Sequence, residues 1–182
     1  TRLMGIGYGN TTVTARWNHI FNDKLTSNLS THYTKYKYDI DVKMKPYDFS
    51  LMAGINDFTG KYDFIWLMNE NITSRFGVSM TYHKYNQGEL NDRTGVVAQY
   101  LSIDAKEKIY RKALESALYY GHEHTISPFF SIKYGLRLSM YQNIGKETLY
   151  LFDDEYEFYD SINYGSGKIF NTEINLEPRL AM

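Results

Sequence analysis

Residues 127–141, SPFFSIKYGLRLSMY, constrain the fold more than any other stretch of this chain. Every second residue from Phe130 to Met140 is apolar or aromatic: Phe130, Ile132, Tyr134, Leu136, Leu138 and Met140. The alternate positions hold Phe129, Ser131, Lys133, Gly135, Arg137 and Ser139. Side chains that alternate in this way lie on opposite faces of a β-strand, not on the stripe of a helix. A strand in a soluble sheet usually runs about five or six residues, whereas a strand tilted across a bilayer needs roughly 9–11. The alternation here reaches the longer class.

Composition removes two function classes. With 20 Lys+Arg against 21 Asp+Glu and a formal net charge of -1, the chain lacks the basic footprint of a nucleic-acid binder. The interleaved aromatic and basic residues of TKYKYDIDVKMKPYD read as a solvated strand end with interfacial Tyr. Mean hydropathy is -0.48, and no run approaches the length of a membrane helix. A transmembrane barrel survives that test, because its strands alternate apolar with polar residues. The 18 Tyr suit such a barrel, since Tyr gathers at membrane interfaces. The absence of Cys discriminates little.

Other stretches repeat the period of two. Residues 11–21 set Val13, Ala15, Trp17 and Phe21 against Thr12, Thr14, Arg16 and Asn18, and stop at the polar turn Asn22-Asp23-Lys24. Leu25, Ser27, Leu29, Thr31 and Tyr33 follow on one face, and Pro46 marks a loop because it cannot donate to a ladder. Residues 49–69 form a long β-rich segment closed by Asn69-Glu70-Asn71. Residues 72–85 set Phe76, Val78, Met80 and Tyr82 against Arg75, Gly77, Ser79, Thr81 and His83. Residues 105–120 carry strong helix formers with a Glu107–Arg111 pair at helical spacing. Pairing in a sheet overrides such propensity, and a strand is expected from Tyr110 onward. His122-Glu123-His124 is expected to be the turn that feeds residues 127–141. Residues 169–182 return to alternation.

Seven strands result, joined by short turns at NDK, NEN and HEH and by long loops around Pro46, at 86–106 and at 142–168. Aromatics gather at both strand ends. Trp17, Phe21, Phe64, Trp66, Tyr119, Tyr120, Phe129 and Phe130 lie near the short turns, and Tyr36, Tyr38, Tyr82, Tyr85 and Tyr141 near the long loops. The expected fold is an all-β antiparallel transmembrane β-barrel of the outer membrane, with short periplasmic turns and long external loops. Bacterial single-chain barrels usually have an even strand count, and TRLMGIGYGN does not read as a leader. The whole of 1–182 is therefore expected to be a segment of one barrel domain.

The stretches GINDFTGKYDF, SRFGVSMTYHKYNQG, ALESALYYGHEHTISPFFSIKYGLRLSMYQNIG and INLEPRLAM resemble the barrel of TonB-dependent outer-membrane receptors, in particular those with a carboxypeptidase-regulatory-like domain before the plug. The resemblance implies a 22-stranded barrel closed by a plug domain, with nutrient import (a metal chelate, glycan or peptide) energised through the TonB system. Implied partners are outer-membrane lipid, the plug and remaining strands of the same protein, and TonB; a surface lipoprotein is a further candidate. The plug and TonB box have no counterpart in these residues. Two other readings are a receptor-like barrel kept as the scaffold subunit of an outer-membrane complex, and a small barrel that closes by itself.

The candidate lumen residues are Arg75, His83, Glu115, Lys133 and Arg137, with Glu115 expected to pair with Lys133 across the HEH hairpin. They serve plug or substrate contact, or charge balance in a polar lumen. His122 and His124 at i,i+2 have no third ligand, and no metal or other cofactor is assigned. Asp153, Asp154, Glu155, Glu157 and Asp160 form an external acidic loop without the pattern of an EF-hand. No G-x-S-x-G, H-E-x-x-H or Gly-rich phosphate loop anchors catalysis, so no enzymatic role is assigned. Leu136→Arg is expected to damage membrane assembly and Gly135→Ser, on the other face, to be harmless.

Overall fold

The computed structural model describes residues 3–101 and 110–182. Seven strands form one antiparallel sheet in the order β1-β2-β3-β4-β5-β6-β9: β1 Leu3–Asn22, β2 Leu25–Met44, β3 Tyr47–Asn69, β4 Ile72–Asp92, β5 Tyr110–Ser127, β6 Phe130–Ile144 and β9 Ile169–Ala181. A short helix, α1 Val96–Leu101, follows β4. The hairpin of β7 Glu147–Phe152 and β8 Phe158–Tyr164 stands between β6 and β9. Among the described residues the sheet is open: β1 pairs only with β2, and β9 only with β6.

Seven strands are as expected, and the segment of uncertain propensity is strand from Tyr110. Residues 105–109 of that segment lie outside the described residues. The turns at NDK and NEN are also as expected. In both, an Asn side chain closes the turn on its own backbone: Asn22 Oδ1 accepts from the Lys24 and Leu25 amides at 2.9 and 3.0 Å, and Asn69 Oδ1 from the Asn71 amide at 2.9 Å.

Three expectations about connections are corrected. The HEH segment is not a turn; His122, Glu123 and His124 continue β5, and the chain reverses at Pro128-Phe129. Proline suits a turn because it has no amide to donate and a fixed φ. The Pro46 loop is not long, for Lys45-Pro46 alone separates β2 from β3. The two remaining long loops are shorter than expected, because β4 runs on to Asp92 and β6 to Ile144. β1 to β4 are each 20 residues or longer, about twice the membrane-spanning length.

The sheet has almost no core of its own. Among the described residues the buried apolar side chains are Ala53, Ala113 and Ala117. The chain exposes 13295 Å², against about 9,100 Å² for a compact monomer of its mass. Leu118, Leu176 and Phe58 are each about 60% exposed, so one face of the sheet presents large apolar side chains with no layer of the described residues over them.

Candidate functional site

Antiparallel register places directly paired residues on the same face. One row crosses all seven strands: Trp17, Leu29, Tyr62, Val78, Leu118, Leu138 and Leu176. Toward the short turns the next row on that face is His19, Ser27, Phe64, Phe76, Tyr120, Leu136 and Pro178. In the other direction, two rows on, lies Val13, Tyr33, Phe58, Tyr82, Leu114, Gln142 and Thr172. On β3 the band runs from Trp66 to Phe58, nine residues, or about 26 Å at 3.3 Å per residue.

Rings mark both margins of the band. Near the short turns His19 packs edge-on to Phe21, Phe21 stacks on Phe64, and Phe64 stacks on Phe76 at 5.1 Å with 8° between planes. Further along this margin Tyr120, His122 and Tyr134 lie side by side, and His122 Nδ1 is 2.9 Å from the buried Ser74 hydroxyl. At the opposite margin the rings are Tyr33, Phe58 and Tyr82. Membership of the expected girdles is thus corrected: Tyr119 lies on the polar face, and so do Tyr36, Tyr38, Tyr85 and Tyr141. Phe129 sits in the turn. Nearness to a strand end does not determine the face of a side chain; parity does.

The polar face carries an ion-paired lattice. Asn18, Asn28, Asp63, Gly77, Tyr119, Arg137 and Glu177 form one row, and Thr14, His32, Thr59, Thr81, Glu115, Tyr141 and Glu173 another. Arg137 lies 3.8 Å from Glu115 and 3.7 Å from Glu177; Glu177 also accepts from the Ser139 hydroxyl at 2.8 Å and from Arg179 at 3.2 Å. Tyr119 donates to Asp63, which also pairs with Lys61 at 3.0 Å. His83 sits 2.8 Å from Asp57 and 3.8 Å from Glu115, its ring against Tyr85. Ala113, between His83 and Asn143, and Ala117, between Ser79 and Ser139, are buried on this face.

All five candidate lumen residues lie on this one face, in two groups. His83, Glu115 and Arg137 form a connected cluster. Arg75 and Lys133 meet nearer the short turns, at 3.2 and 3.0 Å from Glu123. The expected Glu115–Lys133 pair does not form, because with the reversal at Pro128-Phe129 Lys133 stands opposite Glu123 and Glu115 opposite Tyr141. Asp57, Asp63, Glu123 and Glu177 are cluster members that strand-by-strand reading left out, and only cross-strand register reveals them. Gly135, opposite Gly121, is a point of close approach: a Cβ there would stand 2.7 Å from the Tyr120 carbonyl oxygen and 3.0 Å from Gly121 Cα. Gly135→Ser is therefore not the harmless change expected.

The acidic segment lies at the β7–β8 turn. Asp153 Oδ1 accepts from the Glu155 and Glu157 amides at 3.0 and 2.9 Å, and Asp160 belongs to β8. Among the described residues no three His, Asp or Glu come together to hold a metal ion. His122 and His124 share the apolar face, away from the carboxylates of the polar one.

Beyond the Tyr33–Phe58–Tyr82 row the polarity of the faces inverts. On β2 the face that was apolar now shows Lys35, Lys37, Asp39, Asp41 and Lys43, and the other shows Tyr36, Tyr38, Ile40 and Val42. β3 matches it, with Ile55, Ala53, Leu51 and Phe49 opposite those apolar residues. The loop after β4 is clasped to this extension. Arg93 pairs with Asp41 at 2.8 Å and with Asp48, and the guanidinium holds the Asp41 carboxyl below its ordinary range. Asp92 accepts from the Ala98, Gly95 and Thr94 amides, and these bonds, that from Ala98 foremost, lower its carboxyl too.

Comparison with protein-family models, with curated proteins and with solved structures gives no match for this chain.

Proposed function

We propose that this chain is a segment of an outer-membrane β-barrel of the TonB-dependent receptor type, which imports a nutrient ligand through a lumen lined by the polar face. The observation that carries the reading is the uncovered, mostly apolar band: nine residues deep on β3, crossing seven strands, and bordered by rings near the short turns and, on β2 to β4, at the opposite margin. Water would oppose exposing such a face, and lipid would favour it. The polar face supports the same reading, since a lumen tolerates paired charges and lipid does not. Neither open edge can face hydrocarbon, because each unpaired amide and carbonyl there costs several kcal/mol, so in this reading β1 and β9 each pair with a further strand. The receptor class rests on the resemblance of the strand sequences quoted above. In this reading the His83–Glu115–Arg137 cluster and the Arg75–Glu123–Lys133 group meet a plug or a passing ligand, and no catalytic role is assigned.

Two measurements test the proposal. The full-length protein is expected in the outer-membrane fraction as a heat-modifiable species, with ligand uptake abolished when the inner membrane is de-energised. Recovery as a monomer that stays in solution without detergent defeats the barrel reading, and uptake that persists without energy defeats the receptor class.

A further inference from the structure

We propose that a lysine row at the loop-side margin of the apolar band binds the phosphate of a membrane amphiphile whose chains lie on that band; the inference rests on the band facing lipid. The row directly beyond Val13–Tyr33–Phe58–Tyr82–Leu114 on the same face is Thr11, Lys35, Asn56, Lys84, Lys112 and Ile144. Lys37 heads the next row, with Gly54, Asn86 and Tyr110. Neither row contains an acid. Lys84 and Lys112 stand directly opposite one another across β4 and β5, an arrangement that repels in the absence of a counter-ion. None of the four lysines forms an ion pair among the described residues, whereas Lys61, Arg75 and Arg137 on the polar face each have a carboxylate. The nearest acids on the lysine face, Asp39 and Glu89, lie one row beyond Lys37, on either side of Met52, and Asp39 leans over Gly7.

The geometry suits a phosphate. Neighbouring strands are about 4.8 Å apart, so the Lys84 and Lys112 ammoniums can converge on two oxygens of one group. Lys84 Nζ is steadied 4.5 Å from the Tyr110 ring centroid. A free anion would satisfy the lysines alone. An amphiphile also covers Phe58, Met80 and Leu118, which are 50 to 60% exposed directly below, and this favours the lipid source.

The test uses the full-length protein in neutral maltoside micelles, titrated with phosphatidic acid, phosphatidylcholine or inorganic phosphate and read by native mass spectrometry. Phosphatidic acid is expected to bind most tightly and inorganic phosphate not to compete. The K84Q/K112Q variant should lose roughly 30-fold in affinity for phosphatidic acid, at about 1 kcal/mol per lysine. K84R/K112R should retain it, and K24Q, in the turn at the other margin, should bind as the parent does. Equal binding of the two lipids, an unchanged K84Q/K112Q, or displacement by inorganic phosphate would each overturn the proposal. Quenching of Trp17 and Trp66 by brominated lipid is measured alongside. Quenching without headgroup preference rejects the lysine site and spares the membrane reading; absence of quenching rejects both.

Discussion

Phe64 of β3 and Phe76 of β4 are opposed in register and stack 5.1 Å apart, their planes within 8° of parallel. Tyr62 and Phe21 also touch Phe64, so the pair is the hub of the ring margin near the short turns. Aromatic pairs contribute about 0.5–1.5 kcal/mol beyond area burial. A double-mutant cycle on Phe64→Leu and Phe76→Leu, read by unfolding in detergent, should give a coupling in that range. A cycle on Phe64→Leu and Leu138→Ala, three strands apart, should give none.

The facing assignment is tested by two arginines at paired rows of β6 and β9. Leu138 lies on the apolar face between Leu118 and Leu176, and Asn175 lies exposed on the polar face. Leu138→Arg should destabilise the membrane-inserted protein by roughly 2–4 kcal/mol if lipid covers the band at that depth. Asn175→Arg should change stability little. Equal losses in equilibrium unfolding from bilayers would refute the assignment.

The seven strands of the main sheet and their parity were legible because a period of two survives without knowledge of any partner, whereas the β7–β8 hairpin lies in residues 142–168, which read as a loop. Partners were not legible, since they depend on where the chain reverses. Moving one turn from His122–His124 to Pro128-Phe129 carries the partner of Glu115 up β6 to Tyr141 and gives Lys133 to Glu123. The polarity inversion was present in TKYKYDIDVKMK, where Lys and Asp alternate with Tyr, Ile and Val. Its meaning needed the neighbouring strand, because only Ile55, Leu51 and Phe49 opposite show that the Tyr side had become the apolar one.

The corrected pairing can be checked directly. Lys133→Gln and Glu123→Gln should show a favourable coupling in a double-mutant cycle, and Lys133→Gln with Glu115→Gln should show none. The reverse result would restore the hairpin with its turn at His122–His124.

Gly135 gives a steric prediction. Its missing Cβ would meet the Tyr120 carbonyl and Gly121 Cα, so Gly135→Ser forces backbone strands apart and should cost about 1–3 kcal/mol, the range for overpacking. Gly60, with open space around its Cβ position, is the control, and Gly60→Ser should be close to neutral in thermal unfolding.

The loop after β4 should loosen in acid before the sheet does. The Asp92 carboxylate is held below the ordinary carboxylate range by the Ala98, Thr94 and Gly95 amides, which bind the charged form. A group whose folded value is depressed contributes stability that is complete above its unfolded value and is lost as pH falls through the folded one. Amide exchange at Gly95 and Ala98 should therefore be slow and pH-independent, after correction for intrinsic rates, down to about pH 4, and should accelerate below it. Asp92→Asn keeps an acceptor oxygen but removes the charge, so the acid step should vanish while part of the protection remains. Asp92→Ala should remove both. Acid acceleration that persists in Asp92→Asn would assign the step instead to the Arg93–Asp41 clasp, whose carboxyl is lowered in the same sense.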